Sequence, residues 1–232
     1  MFRLLALLFL CSTMLFCQNS QRAEIALKKN SASLSQALSA KGMQLGDPIF
    51  IRTFKETKEL EIWIQKKGET KFSLFKTYPI CTYGRQGLGP KLKEGDGMAP
   101  EGFYYVPKSK MNPNSKFHLA FNLGYPNKYD EAHARTGSAL MVHGNCVSVG
   151  CYAMTDPGIE EIYTLTNSAL NNGQKYFKVH CFPFRMSKEN LRKHQDSKWI
   201  GFWKNLAEGY QYFEEKGRPP EVNVRNKKYT FE

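Results

Sequence analysis

Apolar positions keep a period of two through most of the middle of the chain and a helical period at both ends. Ile49-Phe50-Ile51 and Glu61-Ile62-Trp63-Ile64-Gln65 read as strands joined through the charged residues 55–59. Residues 72–78 alternate as a third strand behind a Lys67-Gly68-Glu69 turn. Phe103-Tyr104-Tyr105-Val106, residues 118–123 and residues 176–181 follow as further strands. Leu140-Met141-Val142 and Val147-Ser148-Val149 read as a short hairpin pair. Helical spacing governs residues 18–41, where Ile25, Leu27, Leu34 and Leu38 recur up to Gly42. A second helix starts with Asp156 as N-cap and Pro157 at its first position, and runs to Asn171-Asn172-Gly173. From Ser187 the pattern turns helical again. Trp199, Phe202, Trp203, Leu206, Tyr210 and Phe213 form an aromatic stripe that reads as packing surface, and Pro219-Pro220 stops it before a tail with one strand. The expected fold is mainly β (α+β), a twisted sheet or flattened sandwich with helices at its N- and C-terminal ends.

Two stretches break the rhythm. Residues 1–17 place Arg3 before the apolar run Leu4-Leu5-Ala6-Leu7-Leu8-Phe9-Leu10, the form of a secretory signal and too short for a membrane span. Cleavage near Cys17-Gln18 fits better than lipidation of Cys17, because Phe16 is bulky where a small residue is wanted. The expected organisation is a signal at 1–17, a helical segment at 18–45, a catalytic domain at 46–186 and a helical extension at 187–232. The second break is residues 81–102, where six glycines and two prolines interrupt any pattern. A long glycine-rich loop in a compact domain reads as a substrate-contacting flap, here bearing Arg85, Lys91 and Lys93.

Charge narrows the partners. The net charge of +12 makes nucleic acid the reflex expectation. Export argues against it, and no aromatic-and-basic RNA-binding signature is present. A cell-wall polymer with free carboxylates is the better anionic match.

The candidate chemistry lies at 141–154. His143-Gly144 is followed, eight residues after the histidine, by Cys151 behind Ser148-Val149-Gly150. A catalytic thiol needs a neighbouring base, because the thiolate is the nucleophile. It also needs backbone N–H groups aimed at the oxyanion, and Gly150 and Cys151 are placed to supply them. The competing reading is a small buried hydrophobe, the common fate of a free cysteine. Zinc is a weaker competitor: His143, Cys146 and Cys151 lack the paired ligands that would complete a tetrahedral set. Outside the leader, Cys81, Cys146, Cys151 and Cys181 remain, so a free Cys151 leaves three thiols and at most one disulfide, its pairing open.

The same stretch resembles the signature of the L,D-transpeptidase catalytic domain (YkuD-type), a His-Gly followed by Ser-His-Gly-Cys, a hydrophobic residue and Arg. Here the gap is shorter, Val149 stands where the second histidine usually sits, and Ala153 stands where the arginine usually sits. Further blocks resemble a shorter-spaced, murein-acting branch: Leu60-Glu61-Ile62-Trp63, Tyr78-Pro79-Ile80-Cys81, Ala99-Pro100-Glu101-Gly102-Phe103-Tyr104, Asn112-Pro113-Asn114-Ser115-Lys116-Phe117-His118 and Asn122-Leu123-Gly124-Tyr125-Pro126-Asn127. The resemblance implies a cofactor-free, metal-free periplasmic enzyme on peptidoglycan stem peptides. It acts through a Cys151 thioester, with His143 as base and the Gly144 carbonyl orienting the imidazole. In that branch the bond is opened at diaminopimelate, releasing a wall-anchored lipoprotein. With no guanidinium at Ala153, Arg135, Lys116 and Arg85 become the candidate carboxylate anchors, with Ser148, Tyr152 and His118 as further substrate contacts. The alternatives are a secreted thiol protease, whose local signatures are missing, and a non-catalytic basic wall-binding protein with a structural cysteine.

Overall fold

The computed structural model describes residues 4–85 and 87–232, with side chains from Gln21 onward apart from position 86. The leader expected at 1–17, with the choice between cleavage and lipidation at Cys17, therefore falls on side chains outside those described.

The centre is a five-stranded sheet in the order β3-β2-β1-β9-β4. Its strands are β1 (Ile49–Phe54), β2 (Glu59–Gln65), β3 (Phe72–Pro79), β4 (Gly102–Pro107) and β9 (Tyr176–Phe182). Every residue of β1 is buried, and all of β9 except Tyr176, so both middle strands are covered on two faces. Alternation then divides their side chains between two cores. Ile49, Ile51, Phe177, Val179 and Cys181 face the larger core. Phe54 and Phe182 face the smaller one, where Phe50 and Phe103 pack around His180.

Over the larger core lies a second sheet in the order β5-β6-β7-β8. Its members are β5 (Met111–Asn112), β6 (Ala120–Asn122), β7 (Met141–His143) and β8 (Tyr152–Ala153). Phe121 and Phe177 meet edge to face at 5.2 Å between the two sheets. Two helices complete this layer, α1 (Leu4–Ser39) and α3 (Asp156–Asn171). The other face is covered by α5 (Ile200–Lys216), whose Trp203, Leu206, Tyr210 and Phe213 are buried, and by the hairpin β10 (Val222–Arg225) and β11 (Lys228–Phe231). The α+β class expected from periodicity is what the chain adopts, in three layers; the aromatic stripe of α5 is core.

Several local expectations are corrected. The expected strand at 147–149 does not form: Val147 is 52% and Val149 90% exposed, and the second partner is instead β8, which runs parallel to β7. Left-handed backbone at Asn145 and Cys146, and a positive φ at Gly150, turn this loop out of any hairpin path. His118 leaves its expected strand because its own φ is +67°, so β6 starts at Ala120. The N-cap of α3 is Thr155, which accepts from the Gly158 N–H, while Asp156 is the first helical residue. In α1 the buried stripe is Ala26, Asn30, Leu34 and Leu38, each four residues apart, and Ile25 is 59% exposed. The polar stretch after Asn127 contains α2 (Lys128–Ala132), held by an Asn127/Asp130 capping box. The tail forms two strands. Between β9 and α5 the short α4 (Lys188–Lys193) starts at Ser187, as its sequence suggests.

A buried ion pair joins these layers. Lys55, just after β1, is fully buried and donates to Glu101 Oε1 at 2.9 Å, to the Gly89 carbonyl at 2.8 Å and to the Ala99 carbonyl at 2.7 Å. Glu101 also accepts from the Gly89 N–H at 2.8 Å and from Trp203 Nε1 at 2.9 Å. Lys55→Met removes the cation and leaves a buried carboxylate unpaired, which should cost about 3–5 kcal/mol in urea unfolding. The Lys55→Met/Glu101→Gln double variant should recover part of that loss. Single and double variants of equal stability would show that the pair is not coupled.

Candidate active site

β7 delivers His143 at its last position, and β8 begins one residue after Cys151. The parallel register sets Val142 against Tyr152 and His143 against Ala153. Val142 and Tyr152 are both fully buried in the core, His143 closes β7 at 2% exposure, and Cys151 directly precedes β8, partly buried against the same larger core. The two segments expected to form a hairpin meet instead as the parallel pair of β7 with β8.

The imidazole is oriented through its Nδ1, 2.7 Å from the Gly144 carbonyl. A carbonyl only accepts, so Nδ1 carries the proton and Nε2 is left as the basic nitrogen of the neutral ring. Phe117 lies over the ring, centroids 4.7 Å apart. Burial holds the His143 pKa below its ordinary value, against the opposing pull of the Gly144 carbonyl. Cys151 Sγ receives the Met141 N–H at 3.4 Å and faces the Ala139 carbonyl at 3.6 Å. Burial pushes this thiol up, with the Met141 N–H and the charge of Lys91 opposing it. Both directions favour the neutral forms of the thiol and of the imidazole at pH 7.

Lys91 was read in the sequence only as one of several flap cations. Its side chain is 5% exposed and bound to Asp96 Oδ1 at 2.8 Å and to the Lys93 carbonyl at 3.0 Å. Asp96 also takes the N–H groups of Leu92, Lys93 and Met98, and its pKa is lowered to about 2, although burial works the other way. The five-residue spacing to Asp96 was the available signal.

The flap rests directly on the thiol loop. Residues 81–84 run beside β8, with the Cys81 N–H on the Ala153 carbonyl and the Ala153 N–H on the Thr82 carbonyl, both at 2.8 Å. A Cβ at Gly84 would fall 2.5 Å from the Gly150 nitrogen, so only glycine lets the two backbones cross. Cys81 and Cys146 form a disulfide between the two segments, which resolves the pairing left open. A loop with a sequence separation of 65 makes that link worth roughly 4 kcal/mol in the chain-entropy treatment. It also spends Cys146, and among the described residues no group of three or more His, Cys, Asp or Glu side chains could hold a metal ion.

The other candidates are distributed as follows. The Gly150 N–H is given to Ser148 Oγ at 3.0 Å, while Ser148 donates to the Cys151 carbonyl at 2.7 Å. Ser148 thereby shapes the loop, and of the two expected oxyanion donors it is the Cys151 N–H that has no acceptor among the described residues. Arg85 is exposed and lines a hollow of about 440 Å³ with Gly84, Gly95, Gly97, Ser148 and Val149. Lys116 is exposed beside Phe117. Arg135 is buried, bonded to Asp130 at 2.8 Å and stacked on Tyr129 and Phe202. Tyr152 is fully buried with its hydroxyl on the Pro100 carbonyl, and His118 pairs with Glu160 at 2.9 Å. Tyr152 and His118 spend these polar groups within the fold, while the buried Nε of Arg135 has no hydrogen-bond partner among the described residues. Arg135 has a legible partner in Asp130, five residues before it.

The chain is similar to several known proteins. Residues 52–180 match the L,D-transpeptidase catalytic domain family (YkuD), a span that includes both His143 and Cys151. A relative from Escherichia coli K12, named "Putative L,D-transpeptidase YafK", is 42% identical over 204 residues, covering 88% of this chain and 82% of its own. Among solved structures, the helical cell shape determining protein Pgp2 from Campylobacter jejuni aligns with a TM-score of 0.47 at 18% identity, over 82% of this chain and 79% of that one. Bd1075 from Bdellovibrio bacteriovorus aligns with a TM-score of 0.42 at 18% identity, over 78% of each chain.

The raised thiol gives a testable pH profile. Alkylation of Cys151 by iodoacetamide should climb continuously from pH 6 through pH 9, without an acid plateau. A plateau of fast alkylation near pH 6, removed by His143→Ala, would instead reveal a preformed thiolate–imidazolium pair.

Proposed function

This chain belongs to the L,D-transpeptidase catalytic domain family, and from that premise we propose that it is an exported cysteine enzyme acting on peptidoglycan stem peptides through a thioester at Cys151. The observation that carries the proposal is the parallel pairing of β7 with β8, which brings the segments bearing His143 and Cys151 side by side, with the imidazole Nδ1 fixed on the Gly144 carbonyl and the half-buried thiol accepting from the Met141 N–H. Export is supported by the leader-like residues 1–17 and by the Cys81–Cys146 disulfide, a bond that persists in oxidising compartments such as the periplasm. No helix among the described residues is long and apolar enough to cross a membrane.

The chemistry follows from the protonation states. As Cys151 Sγ approaches the carbonyl of an amide at diaminopimelate, His143 Nε2 takes its proton and the C–S bond forms. The tetrahedral oxyanion is held by the Cys151 N–H. Its collapse breaks the C–N bond, the imidazolium returns the proton to the departing amine, and an acyl-thioester remains. Water then attacks to give hydrolysis, or a second amine attacks to give exchange; His143 takes the nucleophile's proton, the C–S bond breaks, and the imidazolium returns that proton to the departing Cys151 thiolate. Arg85, exposed in the hollow beside Gly150, is the cation placed to meet a free substrate carboxylate.

Mass spectrometry of murein incubated with the wild-type protein and with Cys151→Ala tests this reading. Thiol-dependent release of peptide or of a wall-anchored lipoprotein is the expected result for hydrolysis, and new cross-links or exchanged terminal residues for transpeptidation. Identical products from both proteins would overturn the enzyme reading in favour of a basic wall-binding module.

A further inference from the structure

We infer that Arg22, on the N-terminal helix α1, is a positioning residue for His143, acting through the turn that carries Phe117. The inference rests on the reading of His143 as the base. Arg22 Nη1 donates to two carbonyls, Ser115 at 2.9 Å and His118 at 2.7 Å, which bracket Phe117. Phe117 in turn meets the histidine twice. Its ring covers the imidazole at 4.7 Å, and its carbonyl accepts the Gly144 N–H at 3.0 Å. Gly144 then offers its own carbonyl to His143 Nδ1 at 2.7 Å. From guanidinium to imidazole, the path is two hydrogen-bonded backbone segments and one ring contact.

The turn needs this external hold. His118 sits at φ +67°, a left-handed conformation that costs of order 1 kcal/mol or more for a residue with a side chain. Phe117 is 40% exposed, so burial alone does not fix it over the imidazole. The internal bond of the turn is from the Phe117 N–H to Ser115 Oγ at 3.0 Å. Further support comes from outside: Glu160 of α3 binds His118 Nε2 at 2.9 Å and takes Lys29 Nζ of α1 at 2.7 Å. A planar guanidinium reaches two carbonyls at once, whereas an ammonium here would be a single point charge on a flexible stem. Arg22 is also presented firmly, because Ala26, Leu34 and Leu38 bury the rest of the helix against the larger core. On this reading α1 completes the catalytic apparatus from outside the segment that bears it.

Arg22→Met in the full chain should lower kcat roughly ten- to a hundredfold while leaving KM within about twofold, since the base shifts and the substrate hollow does not. In 15N-histidine NMR the downfield Nδ1–H signal of His143, protected in the wild type by the Gly144 carbonyl, should broaden or vanish. Arg22→Lys, which keeps one of the two bonds, should restore part of both; if Arg22→Met fails to fold, Arg22→Lys is read by the same signal. A wild-type Nδ1–H signal in a folded variant overturns the inference. Loss of that signal in a protein with no thiol-dependent activity would uphold the Arg22 clamp and sink the enzymatic reading instead.

Discussion

The pair between Lys55 and Glu101 is the constraint on which the remaining structure depends. Desolvating an ammonium and a carboxylate costs several kcal/mol each, and attraction alone rarely offsets it. Here each group is also saturated with hydrogen bonds. The lysine gives three, to Glu101, Gly89 and Ala99, and the glutamate receives from Lys55, Gly89 and Trp203. Those partners belong to the end of β1, both limbs of the flap and the C-terminal helix α5. An apolar pair of equal volume would fill the space without fixing where the flap begins and ends, because burial has no direction. The ion pair does have direction, and it pins residues 89–101 above the second sheet.

Once the flap is fixed, the site's reactivity follows from burial. Gly84 crosses Gly150 and the Cys81–Cys146 bond locks the crossing, so the thiol loop is covered on one side. The same cover that withdraws water from Cys151 raises its pKa, and the cover over His143 lowers that of the imidazole. Each group is pushed toward its neutral form, away from a resting ion pair. A neutral imidazole is the form able to accept the thiol's proton, and its Nδ1–H is committed to Gly144. In the mechanism proposed above, this favours attack on a bound carbonyl over indiscriminate reaction with solvent electrophiles.

Periodicity was a good guide where one element supplies its own pattern. β1, β2, β3, β4, β9, α3 and the α5 stripe stand where the spacing puts them. It failed where the deciding partner is distant. The two residues of β8 are too few to show a period, and they are set by pairing with β7 and by the flap strand at Thr82. The β10–β11 hairpin alternates visibly as Val222, Val224, Tyr229 and Phe231, but its turn is Asn226-Lys227 in left-handed backbone, without the glycine that marks such turns. In the candidate site, His143 and Cys151 stand out in the sequence because a thiol nucleophile requires a base near it. Arg135 and His118 were drawn toward the site by residue type alone. Asp130, five residues before Arg135, was a local and legible partner, whereas Glu160 lies 42 residues from His118 on a helix whose packing no local pattern reveals.

Two of the three departures from the family signature then acquire a physical meaning. Val149, at the place of a second histidine, is 90% exposed on the outward side of the loop, where an imidazole would face solvent. Ala153, at the place of the arginine, is fully buried and bonded through its backbone to Cys81 and Thr82 of the flap. A guanidinium there would have to lie beneath the flap, in space already closed by the disulfide-linked crossing. The cations have moved instead onto the flap itself, with Lys91 buried near the thiol and Arg85 in the open hollow. A fixed charge on β8 would act whatever the flap did. Charges on the flap hold their places only while the flap is seated, so under the proposed function the cation offered to an anionic substrate depends on the buried Lys55–Glu101 pair that seats it.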